Sequence, residues 1–134
     1  MNDGFGELRR AQRSVVVFGV YLLGLALMLL ALPNVLLAIF GVPATQEVWI
    51  RVVGMLVGFL GYYYVRHGAG AVRSFLELTI QVRLSVPAFF LGFVVLAGAP
   101  WQLLLFAVFD ILGAGWTWWS LRASSRRLAA RPQV

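Results

Sequence analysis

The feature that most constrains this chain is the stretch Leu103 to Leu121, LLLFAVFDILGAGWTWWSL, apolar and aromatic for long enough to cross a bilayer. It carries a single carboxylate, Asp110, near its middle. A helix in a soluble core needs only one apolar stripe, whereas a helix apolar all round for about 20 residues belongs in lipid. A carboxylate at that depth is costly unless something inside the protein receives it. The stretch therefore predicts a membrane protein with a polar centre.

The rest of the chain extends this expectation. With 134 residues, 61% of them hydrophobic and only 12% charged, the chain lies outside the soluble globular range. It has room for about four spanning helices of roughly 20 residues. The apolar runs place them near residues 14–32, 48–65, 74–97 and 102–121, in one domain covering 1–134 with basic tails at 1–13 and 122–134. Ser14 to Leu32 is too long for a signal-peptide core and no A-x-A-like cleavage site follows it, so it is expected to stay as the first span. Val35 to Val42, between Pro33 and Pro43, is too short to cross; it is expected to extend the first helix or to lie as a short interfacial helix. In the second span Trp49 and Tyr62–Tyr64 stand where interfacial aromatics belong, and Gly54, Gly58 and Gly61 make a face that another helix can approach closely. Pro87 is expected to kink the third.

The arginines orient this layout. All 11 basic residues are arginine, and nine of them fall at the N-terminal arm, in the Arg66–Arg73 turn or on the C-terminal tail. The opposite loops, Pro33 to Glu47 and Gly98 to Gln102, contain none. The positive-inside rule then predicts an all-α, four-helix transmembrane bundle with both termini cytoplasmic. The expected location is a cell membrane, of the bacterial inner-membrane kind. The net charge of +6 is explained by this distribution, so nucleic acid is not an expected partner. The bilayer is one, and the glycine-rich faces offer a surface for a second copy.

Arg51 and Arg83 are the two arginines left inside predicted spans. From the helical rise, Arg51 lies ~5 Å, Asp110 ~13 Å and Arg83 ~20 Å below the outer boundary. Asp110 shares its helix face with Ala107, Gly113, Ala114 and Thr117, a small and polar stripe suited to a bundle interior. Arg51 shares a face with Gly54, Gly58 and Tyr62. The expected centre is therefore Asp110, Arg83, Arg51 and Tyr62, with Thr117, Trp116 and Tyr21 lining a ligand. Arg83 is the expected ion-pair partner of Asp110, because Glu47 stands one turn before Arg51 and competes for it. The alternative is a purely structural pair that fixes which helices are neighbours. Trp116, Trp118 and Trp119 read either as an interfacial belt or as the wall of a flat apolar site.

Several chemistries are excluded or unsupported. With no cysteine there are no disulfides, thiolate metal sites or cysteine nucleophiles. His67 is the only histidine, stands in a basic turn and has no carboxylate near it in sequence, so no metal site is expected. No residue pattern specifies a cofactor. Three function classes follow: binding or transport of a small lipophilic or amphipathic ligand with an anionic head group, acid–base chemistry on a lipophilic substrate by a membrane-embedded enzyme, and a structural subunit with no ligand. In size and four-span layout the chain resembles the small multidrug exporters. That family depends on a membrane-embedded glutamate in its first helix, and Ser14 to Leu32 contains no acidic residue, so its antiport mechanism is not carried over.

Overall fold

The computed structural model describes residues 3–129, and side chains within 6–126. Five helices follow one another: α1 (Asp3–Ala31), α2 (Pro33–Ile39), α3 (Trp49–Gly68), α4 (Arg73–Ala97) and α5 (Leu103–Ala129). No strand occurs among the described residues. Segments Gly6–Ala31, Arg73–Ala97 and Leu103–Arg126 of α1, α4 and α5 are each long and apolar enough to cross a membrane. Helix α3 has the length, at 20 residues, but Arg51 and its three tyrosines make it less apolar. Their outer faces are lined with exposed Leu, Val, Ile and Phe side chains, such as Leu27, Leu96 and Leu112. A water-soluble monomer does not expose apolar surface on this scale.

Two helices run further than the apolar stretches that announce them. α1 begins within the basic N-terminal arm because its buried face continues there, through Glu7, Ala11 and Ser14 to Val15, Phe18 and Leu22. Gln12 fastens this part to the α3–α4 turn by donating from Nε2 to the Ala71 carbonyl at 3.0 Å. α5 likewise continues past Leu121, with Ser124 buried. Residues 1, 2 and 130–134, Arg131 among them, lie outside the described residues.

The short apolar run after α1 forms a separate helix. Pro33 opens α2 at its first turn, where the missing N–H costs nothing, and Pro33 and Leu36 are buried. Asn34 Oδ1 then accepts from the Thr45 N–H at 2.8 Å and ties down the connection to α3. α4 continues through Pro87 and ends at Gly98, whose φ of 65° is left-handed and suits glycine.

α1 is the hub. It packs along α3 and α5, α4 packs along α5, and α4 touches α1 only lightly. Against α1, the α3 glycines come close in antiparallel register: Gly54 at Leu29, Gly58 at Ala26, Gly61 at Gly19, Gly68 at Val15 and Val16. A Cβ on Gly61 would sit 2.9 Å from the Gly19 carbonyl oxygen and 3.0 Å from the Leu23 nitrogen, so glycine there is a condition of the contact. The α3 glycine face is thus occupied by α1 of the same chain. The alternating directions bring Arg9, Arg10, Arg13, Arg66, Arg73, Arg122 and Arg126 to one end, with α2 and the arginine-free loops at the other.

Candidate functional site

Four helices meet at a buried guanidinium. Leu76, Thr79 and Arg83 form the buried stripe of α4, and Arg83 is only 1% exposed. Its cationic carbon lies 4.0 Å from the centre of the Phe18 ring on α1 and 5.3 Å from that of Tyr64 on α3. Stacking on aromatic faces is one way to hold a desolvated arginine. Space is left by Gly113 of α5, where a Cβ would stand 3.0 Å from Arg83 Nη1.

Hydroxyls supply the rest. Arg83 Nη1 donates to Thr117 Oγ1 at 3.4 Å, a long bond, while Thr117 donates to the Gly113 carbonyl at 3.0 Å. Ser14 Oγ lies 2.7 Å from Thr117 Oγ1 and donates to the Ala11 carbonyl at 2.7 Å. Arg83 Nε and Nη2 are fully enclosed and donate to no acceptor within hydrogen-bond geometry. The Tyr64 hydroxyl stands close enough to act on the guanidinium by charge and as a weak hydrogen-bond partner, though short of that strict geometry. Two unpaired donors on a buried cation are expensive, at about 1–3 kcal/mol each.

Asp110 lies one turn from Gly113 toward the N-terminal end of α5 and is half-buried. Its charge and that of Arg83 act on each other, and its charge is also felt at the Tyr21 hydroxyl. The expected contact pair is not formed, however: the only ion pairs among the described residues are Arg10–Glu7 at 3.2 Å and Arg73–Glu77 at 2.8 Å. The reason is local, since Phe18, Tyr64, Gly113 and Thr117 draw the guanidinium to a level one turn away from the carboxylate. Tyr21 packs between Phe18 and Phe109, with ring centres 5.6 and 5.0 Å apart.

Next to this level is an apolar cavity of about 260 Å³, partly open, enclosed by residues that include Leu25, Leu29, Phe40, Val57, Phe90 and Phe106. Leu25, Phe106 and Phe90 stand four, four and seven residues from Tyr21, Asp110 and Arg83, hence on the same helix faces. The cavity therefore continues the polar level along the helix axes toward α2. Asp110 itself is not in its wall.

Of the residues expected at the centre, Arg83, Asp110, Thr117 and Tyr21 come together. Arg51, Tyr62 and Trp116 do not. Arg51 is exposed and its Nη1 donates to the Leu30 carbonyl of α1; Glu47 does not pair with it. Tyr62 and Trp116 are 54% and 47% exposed on the outer surface. Tyr64 takes the place expected of Tyr62. The signal for this was the seven-residue spacing Gly54, Gly61, Gly68, which puts Tyr64 and not Tyr62 on the inner face. Ser14 and Phe18 carried no comparable signal. His67 is exposed beside Tyr63, and no group of residues able to hold a metal ion occurs among the described residues.

No family model, curated protein or solved structure matches this chain.

Proposed function

We propose that this chain is a four-span bundle, with α1, α3, α4 and α5 crossing and both termini cytoplasmic, that binds or transports a small lipophilic molecule with a polar end. The arginines gathered at one end support that orientation, and a bacterial inner membrane is the setting it fits. The ligand's apolar body occupies the cavity beneath α2, and its polar end reaches the level of Asp110 and Arg83.

The observation that carries this reading is the pair of unpartnered donors on Arg83, with an unpartnered carboxylate one turn away and an apolar cavity beyond it. A purely structural ion pair gains from close contact and complete hydrogen bonding, and this one has neither. Nε and Nη2 offer two hydrogen bonds to an oxygen acceptor, which favours an acidic or carbonyl head group. Both atoms are enclosed, so engaging them requires Phe18 or Tyr64 to move aside.

The test is to purify the protein in mild detergent, extract bound lipophilic molecules and identify them by mass spectrometry. Wild type is expected to retain a defined small molecule with an oxygen-bearing end. A folded Leu29→Trp variant, which fills the cavity without touching the polar centre, is expected to lose it. Retention of the same molecule by that variant would overturn the assignment of the cavity.

A further inference from the structure

A second site lies at the C-terminal end of α5, away from the polar centre. Trp118, Trp119, Arg122, Ala123 and Arg126 line an open groove of about 420 Å³. The two arginines are exposed and stand one turn apart, so both reach the same groove. Neither meets a carboxylate, because the ion pairs among the described residues involve only Arg10 and Arg73. Arg122 is nevertheless held in place: its guanidinium carbon lies 4.0 Å over the Trp118 ring. Stacking uses the flat face of the guanidinium and leaves its N–H edge free for an acceptor.

The depth of the groove identifies the acceptor. Counted from Leu103 at ~1.5 Å per residue, a hydrocarbon core of ~30 Å is crossed in about 20 residues, ending near Arg122. Trp118 and Trp119 then sit ~5 Å inside that boundary, and Arg126 ~5 Å outside it, within the head-group layer. Trp119 is 75% exposed, and at that depth acyl chains would lie against it. Two pre-positioned cations at the head-group level, above exposed indole rings, match a phosphodiester above acyl chains. We infer that Arg122, Arg126, Trp118 and Trp119 form a binding site for an anionic membrane phospholipid.

The experiment is native mass spectrometry of the full chain released from detergent, with phosphatidylglycerol or phosphatidylcholine added at equal concentration. Wild type is expected to hold phosphatidylglycerol in preference to phosphatidylcholine. Arg122→Gln with Arg126→Gln should lower the apparent affinity by more than about tenfold, through loss of the charge-assisted hydrogen bonds to the phosphodiester. Arg9→Gln with Arg13→Gln removes the same charge from the same end of the molecule but not from the groove lining, and with the exposed charges screened should change it less than about twofold. Equal losses in the two double variants would reduce the effect to general electrostatics and overturn the site. So would an unchanged affinity in Arg122→Gln/Arg126→Gln. Displacement of the lipid by millimolar inorganic phosphate would overturn the assignment to a lipid.

Discussion

Arg83 shows what a single residue contributes to this molecule and what it costs. Its guanidinium joins α4 to α1, α3 and α5 through two aromatic rings and one long hydrogen bond, while two donors go unpaired. An arginine kept only for stability would be replaceable by an apolar side chain of similar length, often with a gain. Arg83→Met is therefore expected to leave the melting temperature unchanged or raised, while abolishing retention of the co-purifying molecule. Thermal unfolding in detergent and mass spectrometry of the extract measure the two effects; a lowered melting temperature with the ligand still retained would assign Arg83 to structure alone. Asp110→Asn combined with Arg83→Gln tests the missing contact. With a turn between the two groups, their coupling energy in unfolding should stay below about 1 kcal/mol, against the larger values found for residues in direct contact.

Between elements, the α1–α3 seam depends on close approach of backbones, and its glycines are not equivalent. Gly61→Ala is expected to be strongly destabilising, since the new methyl would press on the Gly19 and Leu23 backbones at 2.9 and 3.0 Å. Gly58→Ala meets only the Ala26 methyl at 3.4 Å and should be tolerated. Gly92→Ala, in the interior of α4 with nothing within 4 Å, should stabilise by up to about 1 kcal/mol through helix propensity. Fluorescence-detected size-exclusion profiles across a temperature ramp would rank the three; equal loss at Gly58 and Gly61 would contradict the packing. The cavity is also a property of this scale, because α2, the α4–α5 turn and four long helices contribute its wall.

For the whole molecule the proposed crossing pattern makes a direct prediction. The chain has no cysteine, so one introduced at Ser125 and one at Gln46 are each the sole label site. In sealed cells a membrane-impermeant thiol reagent should modify Gln46→Cys and spare Ser125→Cys until the membrane is opened. Labelling of both from outside would remove the four-span arrangement. Helix α3 is the element on which this depends, since of the four long helices it alone lacks a continuous stretch apolar enough to mark it as a span. Its glycine face, fitted along α1, supports its crossing beside α1 despite Arg51, whose side chain turns to the Leu30 carbonyl near the helix end.

The sequence by itself determined the coarse frame: an all-helical chain, breaks at Pro33, Pro43 and Gly98, and, of the four spans expected, three that fall on helices long and apolar enough to cross a membrane. These are local properties, set by hydropathy over a turn or two and by residues with restricted or permissive backbones. Pairwise spacing also carried the buried stripe of α5 from Ala107 through Ala114 to Thr117, because helical periodicity alone decides which side chains share a face. The seven-residue spacing Gly54, Gly61, Gly68 offered Tyr64 and the four-residue spacing Gly54, Gly58 offered Tyr62; the tertiary structure decided between these two stripes of α3. It also decided that Arg83 stacks on Phe18 and not against Asp110, and that Arg51 stays outside. Depth along a helix follows from counting residues, but partners across helices follow from rotation and register. Those were set by the close fit of Gly54, Gly61 and Gly68 against α1, a sum of contacts that no single stretch of the chain contains.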